Sequence, residues 1–141
     1  MSDYVVDESP DAVDLDLLHR WLTEDAYGWS GGLRREVLEK ALSNSITLTC
    51  LYDGAMVAFA RLVTDRATFA YLCDVYVDPA HRGRGLGTLL ARTATELPEV
   101  QTCRRILLAT ADAHGVYDKA GFAPLENPAV WMAITRPEAA G

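Results

Sequence analysis

Arginines and glycines are concentrated in one short stretch, Arg82-Gly83-Arg84-Gly85-Leu86-Gly87. A run typical of a β-strand, Thr68–Val77, precedes it, and an apolar-periodic run typical of a helix continues from Gly85 to Leu97. The first amides of a helix have no partner within it, and the helix dipole adds partial positive charge there. Because glycines let the backbone approach a ligand and arginines bond to oxyanions, the stretch predicts a phosphate-binding turn.

Two familiar phosphate motifs do not fit this turn. A Walker A turn ends in Gly-Lys-Ser/Thr, and this turn has no lysine. A dinucleotide-binding turn carries GxGxxG after the first strand of a βαβ unit, whereas this one follows a meander and has its glycines at alternate positions. A turn whose arginines are only solvated is the simpler alternative. The ordered occurrence of strand, glycines, arginines and helix favours the phosphate site.

The elements that must position this turn alternate strands with helices, in the order β-α-α-β-β-β-α-β-α-β-β. Asp14 is a predicted helix cap, Asp53-Gly54 predicts a hairpin, and Gly121 ends the last helix. A meander followed by strand-helix-strand units predicts a mixed sheet in a single α/β domain spanning residues 1–141. The predicted strands lie at residues 4–6, 46–52, 56–63, 68–77, 105–110, 122–124 and 130–135.

The turn resembles the hallmark of the GNAT superfamily of N-acetyltransferases, Arg/Gln-x-x-Gly-x-Gly/Ala between a strand and a helix. A second feature of that family, a tyrosine followed closely by Gly-Phe, is matched by Tyr117-Asp118-Lys119-Ala120-Gly121-Phe122. The resemblance is closest over residues 71–125. It implies a mixed, mostly antiparallel sheet of about seven strands that splays open between its fourth and fifth strands, with about four flanking helices. Acetyl-coenzyme A would lie in the opening.

The resemblance also implies which residues hold the co-substrate. The backbone of Val75-Tyr76-Val77 would pair with the pantetheine arm, and the amides of Arg82 to Gly87, with Thr88, would hold the pyrophosphate. Thr110 stands where many members carry a pantetheine-binding asparagine, and its shorter hydroxyl is expected to take that role. His114 shares a helix with Tyr117 and faces either the co-substrate or solvent.

Acetyl transfer to an amine requires a deprotonated amine, an aligned thioester and a stabilised leaving thiolate. By resemblance, Tyr117 would lie near the thioester sulfur as the acid. Asp74 interrupts an apolar strand, so it is either a base or amine-orienting group, or the partner of an arginine such as Arg61. Deprotonation through water is a third option, since Tyr71 stands where histone-type members carry a glutamate base. Cys73 could carry an acyl group, but a buried inert thiol is favoured.

Aromatic and acidic residues gather in the stretch DAYGWSGG, where the family forms one wall of the acceptor pocket. Tyr27 and Trp29 are therefore candidate substrate-binding residues, with a core corner beside a solvated loop as the alternative. Aromatic rings and carboxylates suit a cationic amine. The net charge of −7 is compatible with such an acceptor and argues against binding to nucleic acid.

The remaining features narrow the class of protein. The three cysteines are far apart with no metal-ligand spacing, and the acidic start is unlike a signal peptide, so we expect a cytoplasmic protein without metal or membrane span. The function predicted is acetyl-CoA-dependent N-acetylation of a primary amine on a small molecule or peptide, by direct attack in a ternary complex. A catalytically silent CoA-binding module and transfer of a longer acyl group are the alternatives. The resemblance also admits a homodimer.

Overall fold

One sheet of five strands, in the order β1-β2-β3-β4-β5, organises the computed structural model, which describes residues 3–25 and 32–136. Strands β1 to β4 are antiparallel neighbours, and β5 is parallel to β4, so the predicted mixed sheet is confirmed. The strands are β1 (Tyr4–Asp7), β2 (Ile46–Tyr52), β3 (Ala55–Thr64), β4 (Phe69–Val77) and β5 (Arg105–Leu107). The α-helices of the described residues are α1 (Leu15–Arg20), α2 (Arg35–Ser43), α3 (Leu86–Glu96) and α4 (His114–Asp118).

Two local predictions about element ends are confirmed. Asp14 caps α1, because its carboxylate accepts a hydrogen bond from the amide of Leu17 at 3.1 Å. Asp53 and Gly54 join β2 to β3 with φ angles of 52° and 81°. Two consecutive positive φ angles are typical of the hairpin turn that matches strand twist, which is why an Asp-Gly pair stands there.

Both faces of the sheet are covered by helices. Alternate residues of each strand point to opposite sides, so each face supplies apolar side chains to its own core. On one side α3 packs its apolar stripe, which includes Leu90 and Ala94, against β-strand residues such as Leu48 and Leu72. On the other side α1 and α2 pack against Phe59. The helix that begins at the glycine-rich turn is therefore fixed by the packing of its apolar face on the sheet. None of the helices in the described residues is long and apolar enough to cross a membrane.

The predicted strand count of about seven is wrong for the described residues, which form five strands. The strands expected at 122–124 and 130–135 are absent, and a short 3₁₀ turn at Pro128–Val130 interrupts the chain there. The predicted fifth strand is also shorter and ends at Leu107. A strand forms only where it can pair. The prolines remove backbone donors, and the alternating apolar side chains of Val130, Met132 and Ile134 remain exposed.

Candidate active site

The opening in the sheet lies between β4 and β5. The two strands pair only where Phe69–Tyr71 faces Arg105–Leu107. β4 then continues for six residues to Val77, whereas β5 ends at Leu107. The second half of β4 therefore lies beyond the last ladder pair between these strands, and the predicted splay is confirmed.

A β-bulge interrupts β4 at the beginning of this second half, which remains paired with β3. Arg61 on β3 is paired with Cys73, but the next recorded pair is Phe59 with Tyr76, so β4 has one extra residue in this interval. The extra residue coincides with Asp74, whose φ of 55° is uncommon for a residue other than glycine. The bulge changes the direction of the backbone just before Val75, the first residue of the predicted pantetheine-binding triplet.

The glycine-rich turn connects the end of β4 to the start of α3. Asp78 begins it by accepting a hydrogen bond from the amide of Ala80 at 3.1 Å. Gly83 and Gly85 have φ angles of 81° and 78°, and a Cβ built on either would meet nothing within 4 Å. Among the described residues, no side chain caps the helix that begins at Leu86. The amides of its first turn are therefore open to an external acceptor, which is the condition for an anion site.

The two arginines of the turn are tied to different strands. Arg82 donates from Nε to the carbonyl oxygen of Val77 at 2.9 Å, and its guanidinium lies 5.4 Å from the centre of the Tyr76 ring. Arg84 donates from Nη1 to the Tyr4 hydroxyl oxygen at 2.9 Å. Both arginines are exposed. They provide positive charge beside the uncapped helix while bracing the turn against β4 and β1.

The start of α3 is docked on α4. Thr88 donates its hydroxyl to the carbonyl oxygen of Val116 at 3.0 Å. A Cβ on Gly87 would lie 3.2 Å from a methyl group of Val116, so the glycine permits the close approach of the helices. The hydroxyl of Thr88, a residue predicted to help hold pyrophosphate, is thus used to join the two helices. Its backbone amide still belongs to the first turn of α3.

Tyr117 lies on α4 and is half-buried. Its ring meets Phe122 edge to face, with centroids 6.2 Å apart and planes at 77°. Gly121, with a φ of 100°, reverses the chain so that the amide of Phe122 donates to the carbonyl of Tyr117 at 3.1 Å. The Gly-Phe pair that follows the tyrosine therefore fixes the tyrosine ring by packing and by a closed backbone turn.

A groove of 1010 Å³ lies beside β5 and α4. It brings together three predicted site residues, Thr110, His114 and Tyr117. The Thr110 hydroxyl accepts a hydrogen bond from the amide of Ala113 at 3.1 Å, and His114 is exposed at the start of α4. The Val75–Val77 triplet and the glycine-rich turn do not line this groove. Those residues lie on the β4 side of the opening, so the predicted residues form two groups.

Asp74 forms an ion pair with Arg61. The Arg61 Nε lies 2.8 Å from the carboxylate Oδ2, and the two side chains are only 14% and 12% exposed, arginine first. Arg61 also donates from Nη1 to the Ser45 hydroxyl at 3.1 Å. The arginine partner that the sequence offered as an alternative is thus present. Asp74 combines a strained backbone, a charge shielded from water and a place in the half of β4 that extends beyond β5.

The Cys73 thiol is poorly suited to act as a nucleophile. Burial is the main reason that the pKa of this thiol is raised to about 11; the Arg61 guanidinium opposes the increase, and the Asp74 carboxylate adds to it. The thiolate is the reactive form of cysteine, so at neutral pH this side chain is a protonated thiol. The burial of Cys73 therefore favours an inert thiol over an acyl carrier.

The last residues to place are the two candidate substrate-binding residues and a residue at the turn that was not predicted. Tyr27 and Trp29, the candidate substrate-binding residues, lie outside the described residues. Tyr4, which no sequence pattern assigned to the site, contacts Arg84 of the glycine-rich turn and also His81, whose Nδ1 lies 2.8 Å from the Tyr4 hydroxyl. Tyr4 is separated from Arg84 by 80 positions in the chain, and no local pattern relates them.

Comparison with known proteins places these features in a wider group. The model of the acetyltransferase (GNAT) family matches residues 15–122. A protein of Gibberella zeae described as an acetyltransferase is 30% identical over 136 residues, which cover 83% of this chain and 77% of that protein.

Solved structures give the same result. A crystal structure from Xanthomonas campestris pv. campestris, of a protein assigned to the GNAT family, has a TM-score of 0.90 and 38% identity over 98% of this chain and 96% of that one. A GNAT-family acetyltransferase of Streptococcus pneumoniae has a TM-score of 0.70 and 27% identity, covering 96% of this chain and 98% of that one. The fold described above is thus shared along nearly the whole length of both proteins.

Proposed function

Because the chain belongs to the acetyltransferase (GNAT) family, whose co-substrate is acetyl-coenzyme A, we propose that it acetylates a primary amine on a small molecule or peptide. The observation that carries the proposal is the uncapped start of α3 behind two left-handed glycines with open space around them. The helix start follows the half of β4 that extends beyond its pairing with β5. These features suit a ligand that has a pyrophosphate at one end and an amide-containing arm that pairs with a strand.

Different residues along the opening would bind different parts of acetyl-coenzyme A. The amides of Arg82–Gly87 and Thr88 would donate hydrogen bonds to the pyrophosphate oxygens, and the backbone of Val75–Val77 would pair with the pantetheine arm. Thr110 and His114 would contact the co-substrate from the β5 side. The thioester supplies the acetyl group, and the chain's own task is to hold it in line with the amine and to keep water away.

We propose that the amine attacks the thioester directly, without an acyl-enzyme intermediate. The Cys73 thiol, with its pKa of about 11, is unsuited to carry the acetyl group between two half-reactions. Tyr117 would donate its hydroxyl proton to the leaving sulfur. Its hold on Phe122 and on the turn at Gly121 supports this role, because a fixed ring gives the hydroxyl a defined position.

Asp74 would orient the amine rather than remove its proton. Its carboxylate already accepts from Arg61 in a pair that is nearly shielded from water. The pair holds the carboxylate in place, so Asp74 offers a fixed acceptor for an ammonium or amine hydrogen. The amine would then lose its proton to water.

Asp74→Asn is expected to raise KM for the amine by about 10-fold, because it replaces a charged acceptor with a neutral one of the same shape. The pH profile of kcat/KM is expected to keep its shape. Steady-state kinetics between pH 6 and pH 9 measure both. Loss of the acidic limb of that profile, with an unchanged KM, would instead identify Asp74 as the base.

A screen for coenzyme A thiol release against a panel of amines, alcohols and carboxylates tests the proposed function. We expect turnover with amines and a preference for cationic acceptors over anionic ones. Turnover only with alcohols or acidic acceptors would contradict the amine assignment. Calorimetry with coenzyme A, run in parallel, identifies the silent-module alternative, for which binding would occur without turnover of any acceptor. Competition among acyl-coenzyme A species reports the preferred acyl length.

A further inference from the structure

Four side chains from distant parts of the chain meet beside the glycine-rich turn. The Tyr4 hydroxyl lies 2.8 Å from His81 Nδ1 and 2.9 Å from Arg84 Nη1. The Tyr4 ring is 5.0 Å from the Tyr52 ring and meets the His81 ring edge to face at 5.7 Å, centroid to centroid. Tyr52 and His81 are also in ring contact, at 5.3 Å. The first strand thus touches the turn through one aromatic cluster.

The direction of one of these hydrogen bonds follows from the chemistry of the groups. A guanidinium only donates, so the Tyr4 oxygen accepts from Arg84. The same oxygen lies within hydrogen-bond distance of His81 Nδ1. One hydroxyl therefore joins two residues at the glycine-rich turn.

The two contacts of the Tyr4 hydroxyl restrain the turn at its beginning and at its middle. His81 ends the short 3₁₀ segment Pro79–His81 that leads into it, and Arg84 stands between the two left-handed glycines, Gly83 and Gly85. Glycines lose more backbone freedom on ordering than other residues. A turn built on them has to be restrained before its amides can converge on a ligand, or the ligand's binding energy is spent on ordering it.

We propose that Tyr4 is a positioning residue for co-substrate binding, which holds the turn in its binding-competent shape through Arg84 and His81. The inference rests on the proposed function, because it takes the turn to be the phosphate site. Tyr4 itself contacts the turn and not the reacting atoms. Its contribution should therefore appear in the affinity for a phosphate-bearing donor and not in the rate of acetyl transfer.

Tyr4→Phe tests this role, and Tyr52→Phe is its matched control. Both variants keep an aromatic ring in the cluster, but only Tyr4 bonds to the turn through its hydroxyl among the contacts of the described residues. Acetyl-coenzyme A and S-acetylpantetheine, which carries the same thioester without any phosphate, are compared as donors. Thermal unfolding of each variant checks that the fold is intact.

Tyr4→Phe is expected to raise KM for acetyl-coenzyme A, and Kd for coenzyme A, by about 5- to 20-fold, with kcat unchanged at saturation. Kinetics with S-acetylpantetheine should stay at the wild-type level, and Tyr52→Phe should change neither donor. In an Arg84→Gln background, Tyr4→Phe should have a smaller effect, since part of its action passes through Arg84.

The outcomes separate the inference from the proposed function. No change in Tyr4→Phe, or an equal loss with both donors, would contradict the positioning role while leaving the phosphate site in place. A wild-type protein that uses S-acetylpantetheine as well as acetyl-coenzyme A would contradict the phosphate site itself, and with it the role of Tyr4. A fully additive effect in the Arg84→Gln background would exclude Arg84 as the route.

Discussion

Tyr117→Phe is expected to lower kcat by roughly 10²–10⁴-fold, the range for general acid–base catalysis. The substitution removes one oxygen and keeps the ring that packs edge to face on Phe122. If the hydroxyl acts mainly on the departing sulfur, its loss weakens the transition state more than the bound donor. The KM for acetyl-coenzyme A should therefore change much less than kcat.

Pre-steady-state thiol release separates chemistry from product release in this variant. A steady-state drop of only a few-fold has two explanations, which are slow product release in the wild type or a thiolate that leaves unaided. If the chemical step is slowed in Tyr117→Phe, Tyr117 is the acid. If that step keeps its wild-type rate, Tyr117 is a packing residue and the acid assignment is wrong. Tyr52→Phe, at the end of β2, is the control for the loss of a tyrosine hydroxyl elsewhere in the protein.

Gly85→Val is expected to reduce the affinity for coenzyme A by at least about 10-fold, because a branched side chain would stand where the backbone must approach the pyrophosphate. Its left-handed φ of 78° also makes a valine there strained by about 1–2 kcal/mol. Calorimetry measures binding, and thermal unfolding measures the stability loss. Binding should also weaken as salt rises, since Arg82 and Arg84 act partly through charge.

Gly54→Val separates the two effects. Gly54 has a φ of 81° and open space around it, like Gly85, but lies in the β2–β3 hairpin. We expect it to lose similar stability and to bind coenzyme A normally. A folded Gly85→Val protein with wild-type affinity would place the phosphate site elsewhere. Equal losses of affinity in both variants would mean that binding reports only on stability.

Structure that depends on consecutive residues was predictable from the sequence. The cap at Asp14, the hairpin at Asp53-Gly54 and the apolar stripe of α3 follow from rules that act over one or two turns of chain. The glycine-rich turn belongs to this group as well, because its positive φ angles at Gly83 and Gly85 are ones that glycine adopts without strain. The two errors in strand number came from 122–124 and 130–135, which are apolar runs that pair with no strand of the described sheet.

The contacts that join distant segments were decided only by the tertiary structure. The bulge at Asp74 depends on the register between β3 and β4, and that register also sets Arg61 beside the carboxylate. Tyr4, on the edge strand β1, contacts Arg84 although 80 positions of chain separate them. Residue types and local spacing determine which elements form, since backbone preferences are local. Register and packing determine which side chains meet, because they depend on how the whole sheet buries its two faces.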